Sequence, residues 1–270
     1  MKAEILDLQG KKKGTIDLPS QFDEVYRPNL IKRAVLSIFS RKRQKYGAFP
    51  RAGFRHSVRI SKRRRDYRTC YGRGISRMPR KVITRRGTQF NWVGATAPGT
   101  VGGRKAHLPK SEKEWSQKIN VKERRKAIRS AIAATANKDL VNVNFKLPLI
   151  IESKIEKLNK TKDVNLFLAN FGLNDLILRT KSKKIRSGKG KRRGRKYKKK
   201  KGILFVVSSK CPLQKSSLNI AGTDVITIDS LNTALLAPGT HAGRLTIWSE
   251  SAIKEMAEKN LFFNNPRLKK

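Results

Sequence analysis

The sequence predicts an α/β fold: a three-layer α/β/α domain with a mainly parallel central sheet, an N-terminal β-hairpin and a long extended basic loop. Three observations lead there. Four short apolar runs, LII at 149–151, ILFVV at 203–207, VITI at 225–228 and LTIW at 245–248, read as strands buried on both faces. Stretches of helical period, VNLFLANF, SLNTALLA and ESAIKEMAEK, lie between or after them, the alternation of a parallel sheet covered by helices. Residues 44–110 and 181–201 lack hydrophobic periodicity and hold a single acid between them, so they stand outside the sheet. The expected organisation is a globular domain of residues 1–43 and 111–270, a long loop of 44–110, and a basic insert of 181–201 within the domain.

The elements follow in order. Lys2 to Leu8 and Thr15 to Leu18 flank QGKKKG, which reads as a hairpin with Gly10 and Gly14 at the turn. A helix is expected from Pro28, since proline suits the first helical position, with Leu30, Ile31, Ala34, Val35, Ile38 and Phe39 on one apolar face, ending in RKRQKYG. A second helix is expected from Val121, where Asn120 and Glu123 have the spacing of a capping box and Ala127, Ile128, Ala131 and Ile132 form the buried side. The four strands and their helices then complete the domain.

Charge narrows the function. The chain of 270 residues sets 64 Lys and Arg against 19 Asp and Glu, a formal net charge of +45, which opposes compaction unless a polyanion neutralises it. Residues 44–110 carry 18 basic residues against one acid, Asp66, and residues 181–201 carry 14 against none. No run approaches the roughly 20 apolar residues of a membrane-spanning helix, and the first residues do not read as an export signal. Cys70 and Cys211 are isolated, which fits a reduced compartment better than a disulfide framework.

Enzymatic readings find little support. No GxGxxG follows Ile151, as a dinucleotide-binding turn would require; GKGKRRG at 188–194 precedes a strand instead, and GATAPGT at 94–100 lacks the lysine of a phosphate-binding loop. His56, His107 and His241 are scattered, with no carboxylate or second ligand at helical spacing, so neither catalysis nor a metal site is expected. Trp248 ends an apolar strand and reads as core, whereas Trp92 lies in the basic run, where it is placed to stack on a base.

The run at 44–110 contains nine glycines and four prolines, with Tyr46, Phe49, Phe54, Tyr67, Tyr71, Phe90 and Trp92 interleaved among arginines. Arginine and aromatic side chains stack on unpaired bases, Arg and Lys pair with phosphates, and glycine lets the backbone approach the nucleic acid; RNA suits this pattern better than duplex DNA. A disordered basic tail is the usual state of such a run. This one is internal, bounded by helices and varied in composition, so it is expected to be disordered alone, with no core of its own, and ordered on RNA. Candidate contacts are Arg51, Arg55, Arg63, Arg64 and Arg65 before YGRGISRMPR, then Arg80, Arg85, Arg86 and Trp92 after it, with Arg104, Lys105 and His107 at the return. The second cluster offers Lys191, Arg192, Arg193, Arg195, Lys196, Lys198, Lys199 and Lys200. A nuclear-targeting signal is the common role of such a run, but its position just before the strand at Ile203 favours an RNA-contacting insert.

RTCYGRGISRMPRKV at 68–82, GGRKAHLPK at 102–110, SGKGKRRGRKYKKKKGILFVV at 187–207 and LAPGTHAGRLTIWSESAI at 236–253 resemble, in register and almost end to end, the archaeal and eukaryotic branch of the universal fourth large-subunit ribosomal protein family, the L-four family. The resemblance implies a structural, non-enzymatic constituent of the large subunit, cytoplasmic, without cofactor or homo-oligomer. It implies contacts with large-subunit rRNA and neighbouring ribosomal proteins, and a role in subunit assembly. It further implies that the long loop reaches the polypeptide exit tunnel and helps line its constriction, beside the loop of the L-twenty-two family. Arg73, Gly74, Ile75, Ser76, Arg77 and Met78 would then form the tip that meets the nascent chain. Two departures stand out: Leu108 replaces a proline common at the loop's return, and the chain ends at NNPRLKK without a long basic extension, which points to the archaeal type.

Overall fold

The computed structural model describes residues 1–58, 60–141, 143 and 145–263. In chain order the elements are β1 (Lys2–Leu6), β2 (Lys12–Asp17), α1 (Pro28–Lys42), β3 (Arg80–Arg86), β4 (Gln89–Gly94), α2 (Val121–Ala136), α3 (Lys138–Val141), β5 (Leu149–Ile151), α4 (Thr161–Asn170) and α5 (Asn174–Lys181). There follow β6 (Lys183–Ile185), β7 (Tyr197–Lys199), β8 (Leu204–Val207), α6 (Leu213–Ser217), β9 (Asp224–Thr227), α7 (Thr233–Leu236), β10 (Thr246–Ser249) and α8 (Glu250–Glu258). The chain divides into two units, one of Met1–Lys42 with Ser116–Lys270 and one of Arg43–Trp115.

The first unit is built on a six-stranded sheet of order β2-β1-β5-β10-β8-β9. Only β1 and β2 are antiparallel; the remaining neighbours run parallel, with Ile5 beside Ile150, Ile150 beside Trp248 and Val206 beside Ile226. Side chains alternate across a strand, and here both sets are apolar. Ile150, Leu204, Val206 and Trp248 enter one core with α1, α2, α7 and α8, while Leu149, Ile151, Phe205, Val207 and Ile247 enter a second core with α4, α5 and α6. That double burial makes the runs near-continuously hydrophobic and produces the three layers. Trp248 is fully buried, with Phe22 edge-on at 5.3 Å between ring centroids.

Several local expectations need correction. Gly14 is not in the hairpin turn: it lies in β2 opposite Ile5, next to a register irregularity, and the turn is closed instead by Asp7, whose carboxylate accepts from the backbone N–H groups of Gln9 and Lys11. The capping box at α2 does not form, because the Asn120 side chain makes no capping bond and Glu123 pairs with Arg33 across the α1–α2 contact at 3.1 Å. On α1, Ile31, Ala34 and Val35 are buried but Phe39 is exposed; the two helical residues buried nearer its end are Ser37 and Ser40, which bond to the backbone of Gln117. SLNTALLA yields only the single turn of α7, capped by Asn232. Helix α5 and both hairpins outside the main sheet, β3–β4 and β6–β7, are not among the elements that the sequence predicts.

Among the described residues no helix is long and apolar enough to cross a membrane, and no group of His, Cys, Asp and Glu is arranged for a metal. Both cysteines are free.

Candidate nucleic-acid interface

The Arg43–Trp115 unit has an interior, contrary to the expectation that it lacks one. Thr69, Cys70 and Ala95 are buried within it, and β3 and β4 pair from Arg80 beside Gly94 to Arg86 beside Gln89. Its two arms lie backbone to backbone: Ala48 N donates to Pro109 O at 2.8 Å, and a side chain on Gly53 would run into the backbone of Arg104 at 2.5 Å. A side chain on Gly103 would likewise meet the carbonyl of Ala97 and the hydroxyl of Thr100. Gly53 therefore lets one arm of the loop lie against the other, and Gly103 closes a tight turn within the return arm, whereas the sequence alone suggests glycines that approach nucleic acid. Tyr46 packs on Trp115 at 4.5 Å, with Arg43 and Lys113 over the indole, so the ends of the unit are clasped.

The aromatic rings are engaged in the same way. Arg55 lies over Phe49 at 4.1 Å, Arg77 over Tyr71 at 4.6 Å, Arg80 over Trp92 at 5.2 Å, Arg85 over Tyr67 at 5.4 Å and Arg104 over Phe54 at 5.6 Å. Phe90 packs edge-on against both Tyr67 and Trp92. Phe49, Phe54, Tyr67, Tyr71 and Trp92 each attract a guanidinium through the ring quadrupole, which orders long side chains that would otherwise lose rotamer entropy on meeting a phosphate. The structure thus assigns these rings first to arranging arginines; Trp92, half-buried between Phe90 and Arg80, is not a free stacking platform.

In YGRGISRMPR, Gly72 and Gly74 take positive φ, +73° and +63°, with open space where side chains would be. Arg73, Gly74, Ser76 and Arg77 are exposed, while Ile75 and Met78 are half-buried, the Met78 sulfur close to Gly94. Arg80 clamps the turn from within: its guanidinium donates to Ser76 O at 2.7 Å, to Ser76 Oγ at 3.0 Å and to Cys70 Sγ at 3.2 Å. Of the other candidates in this unit, Arg51, Arg63, Arg64, Arg65, Arg86, Lys105 and His107 are exposed. Arg63 to Arg65 stand on a tight turn closed by Thr69 Oγ1 donating to Arg63 O.

The second cluster is carried by the β6–β7 hairpin, and every residue from Lys191 to Lys200 is exposed. Arg186, which the sequence reading did not single out, ties the hairpin together: its N–H donates to Lys196 O at 2.8 Å and its Nε to Arg195 O at 3.0 Å. At the hairpin's base sits a second unforeseen residue, Arg244, buried to 6% exposure. It donates to the carbonyls of Gly202, Ile203, Gly222 and Leu235 and to the Asp224 carboxylate at 2.6 Å. Burial would raise the Asp224 carboxyl, but hydrogen bonds from Lys201 and Arg244 outweigh it and hold the group below its ordinary value. Burial also pulls the Arg244 guanidinium down against the opposing pull of Asp224, yet arginine stays charged at neutral pH. Lys201 is therefore committed to Asp224, unlike its three preceding lysines. A buried arginine in GTHAGRLTIW could have been suspected only from its place next to a strand with no exposed face.

Fold and surface together define an α/β protein with two separate cationic elements built to meet a polyanion. The chain belongs to the ribosomal protein L4/L1 family, whose profile matches residues 16–259. It is 47% identical over 269 residues to the large ribosomal subunit protein uL4 of Nanoarchaeum equitans, covering 97% of this chain and all of that one. The proteins of the same name from Methanococcoides burtonii and Methanocaldococcus jannaschii are each 46% identical, over 260 and 267 residues, covering 94% and 96% of this chain and 97% and 99% of theirs.

Proposed function

We propose that this protein is a structural constituent of the large ribosomal subunit that binds large-subunit rRNA, supports assembly, and extends its Arg43–Trp115 unit to the wall of the polypeptide exit tunnel. The observation that carries the tunnel reading is the YGRGISRMPR turn. It is exposed at Gly72, Arg73, Gly74, Ser76 and Arg77, slender at its glycines, and braced from inside by Arg80. Arg73, Gly74, Ser76 and Arg77 face the peptide path or the adjoining rRNA, while Ile75 and Met78 support the turn. Neighbouring proteins, the L-twenty-two family among them, complete the constriction. The arginines arranged over rings, with Arg51, Arg63 to Arg65, Arg86, Lys105 and His107, hold rRNA along the loop, and the β6–β7 hairpin holds it at the globular domain.

Two measurements test this together. The endogenous protein should remain with large subunits through a high-salt wash, one copy per subunit. A photo-crosslinker installed at Arg73 should capture a stalled nascent peptide in intact ribosomes, whereas one at Lys157 should not. Release at the wash removes the constituent role; peptides of many stall lengths passing the Arg73 probe unlabelled remove the tunnel role alone.

A further inference from the structure

The hairpin β6–β7 is an uncomfortable piece of protein on its own. Each strand has three residues, all exposed, and such two-stranded ribbons are marginal in water. Its register sets Lys183 opposite Lys199 and Lys184 opposite Lys198, and like charges directly opposite destabilise a pair of strands. Beneath it lies a groove of about 590 Å³. The basic residues on its walls are Arg179 from α5, Lys184 from β6, and Lys198, Lys199, Lys200 and Lys201. Leu176 and Pro238 supply apolar wall, and no Asp or Glu lines it. Of these cations only Lys201 has an acidic partner among the described residues, Asp224.

Resting on the rRNA-binding reading above, we propose that this groove seats the phosphodiester backbone of one RNA strand, and that Arg179 and Lys184 are phosphate contacts that complete the set Lys198, Lys199 and Lys200. Converging, unpaired cations cost stability until an anion neutralises them, and a strand with a charge at every residue matches a wall in which six of the twelve lining residues are cations. The groove is lined by the hairpin on one side and by α5 with the turn at Pro238 on the other; a single strand is the proposed occupant, and the duplex competitor tests that choice. The fork of Arg179 matches phosphate geometry better than an ammonium would, and the apolar wall at Leu176 and Pro238 accommodates the sugar.

The experiment measures binding of the full chain to a single-stranded oligouridylate across a salt series, with the oligouridylate–oligoadenylate duplex and polyglutamate as competitors. Replacing Arg179→Gln and Lys184→Gln together should lower the slope of log affinity on log salt by about 1.4, at roughly 0.7 per phosphate contact on a single strand. Arg179→Lys with Lys184→Arg should restore it. The control Lys157→Gln with Lys162→Gln removes the same charge elsewhere and should move the slope far less. All these positions are exposed, so the thermal midpoint should stay at the wild-type value. The proposal is overturned by an unchanged slope in the Arg179/Lys184 variant, by an equal loss in the control, or by duplex or polyglutamate competing as well as the single strand. Failure of the wild-type chain to bind large-subunit rRNA sinks the parent reading and this one; rRNA binding with an unaltered variant slope sinks only the groove.

Discussion

Replacing Arg244→Leu removes the residue on which the β8 end of the sheet and the base of the basic hairpin converge. Ile203 O and Gly222 O keep backbone donors, Asp224 N and Gly202 N, and Asp224 keeps Lys201 at 2.9 Å. Gly202 O and Leu235 O lose theirs, at 2.7 and 3.0 Å in the wild type. Two carbonyls left without a donor at roughly 1 to 3 kcal/mol each place the expected loss near 3 kcal/mol, and the lost ion pair adds little because Lys201 still neutralises Asp224. For a domain of this size that lowers the thermal midpoint by roughly 6 to 12 °C. Urea unfolding of wild type, Arg244→Leu, Asp224→Asn and the double variant measures the loss and the coupling between the two side chains. A loss under about 1 kcal/mol, the range of an ordinary surface change, would refute the account of Arg244 as the residue that holds this corner together.

Two further outcomes are expected. Glu156 is half-buried, and although burial raises its carboxyl, bonds from Ser251 Oγ, Ser208 N and Ser249 Oγ hold it below its ordinary value. A depressed carboxylate contributes stability that is complete above the unfolded value of about 4.3 and is lost as pH falls through the lower folded value, so the urea midpoints of wild type and Glu156→Gln should differ at pH 7 and converge in acid; a constant gap would exclude the carboxylate charge as the cause. Gly103→Val should open the turn over residues 96–104, where the new side chain would run into Ala97 O and Thr100 Oγ1, and abolish exchange protection at the residue-103 and Arg104 amides, which donate to Thr100 O and Thr96 O at 3.0 and 3.2 Å; retained protection in hydrogen exchange would mean that the turn accommodates the larger side chain.

How much of this was legible in the chain follows from the range of the forces involved. The four apolar runs, the helices at Pro28 and Val121 and the two acid-free stretches could be read directly, because hydrophobic periodicity and charge density are local and additive along the sequence. Four motifs in register carried the family, since turn glycines, a buried strand and basic clusters recur together only where one fold demands all of them. The strand order, the seating of β1 beside β5 and the division of Ile150 from Ile151 between two cores required the tertiary structure, because they depend on which distant strand is the neighbour. The same holds for the interface. Composition showed arginines, aromatics and glycines mixed together but not that Arg80 turns inward on Ser76, that Phe49 and Phe54 are each met by a guanidinium of their own chain, or that Gly53 lies against the return arm at Arg104. Arg179 and Lys184 joined Lys198 to Lys200 in one groove only through the packing of α5 beside the hairpin. Charge count sets the class of partner, while the direction in which each cation points is decided by contacts between residues far apart in the chain.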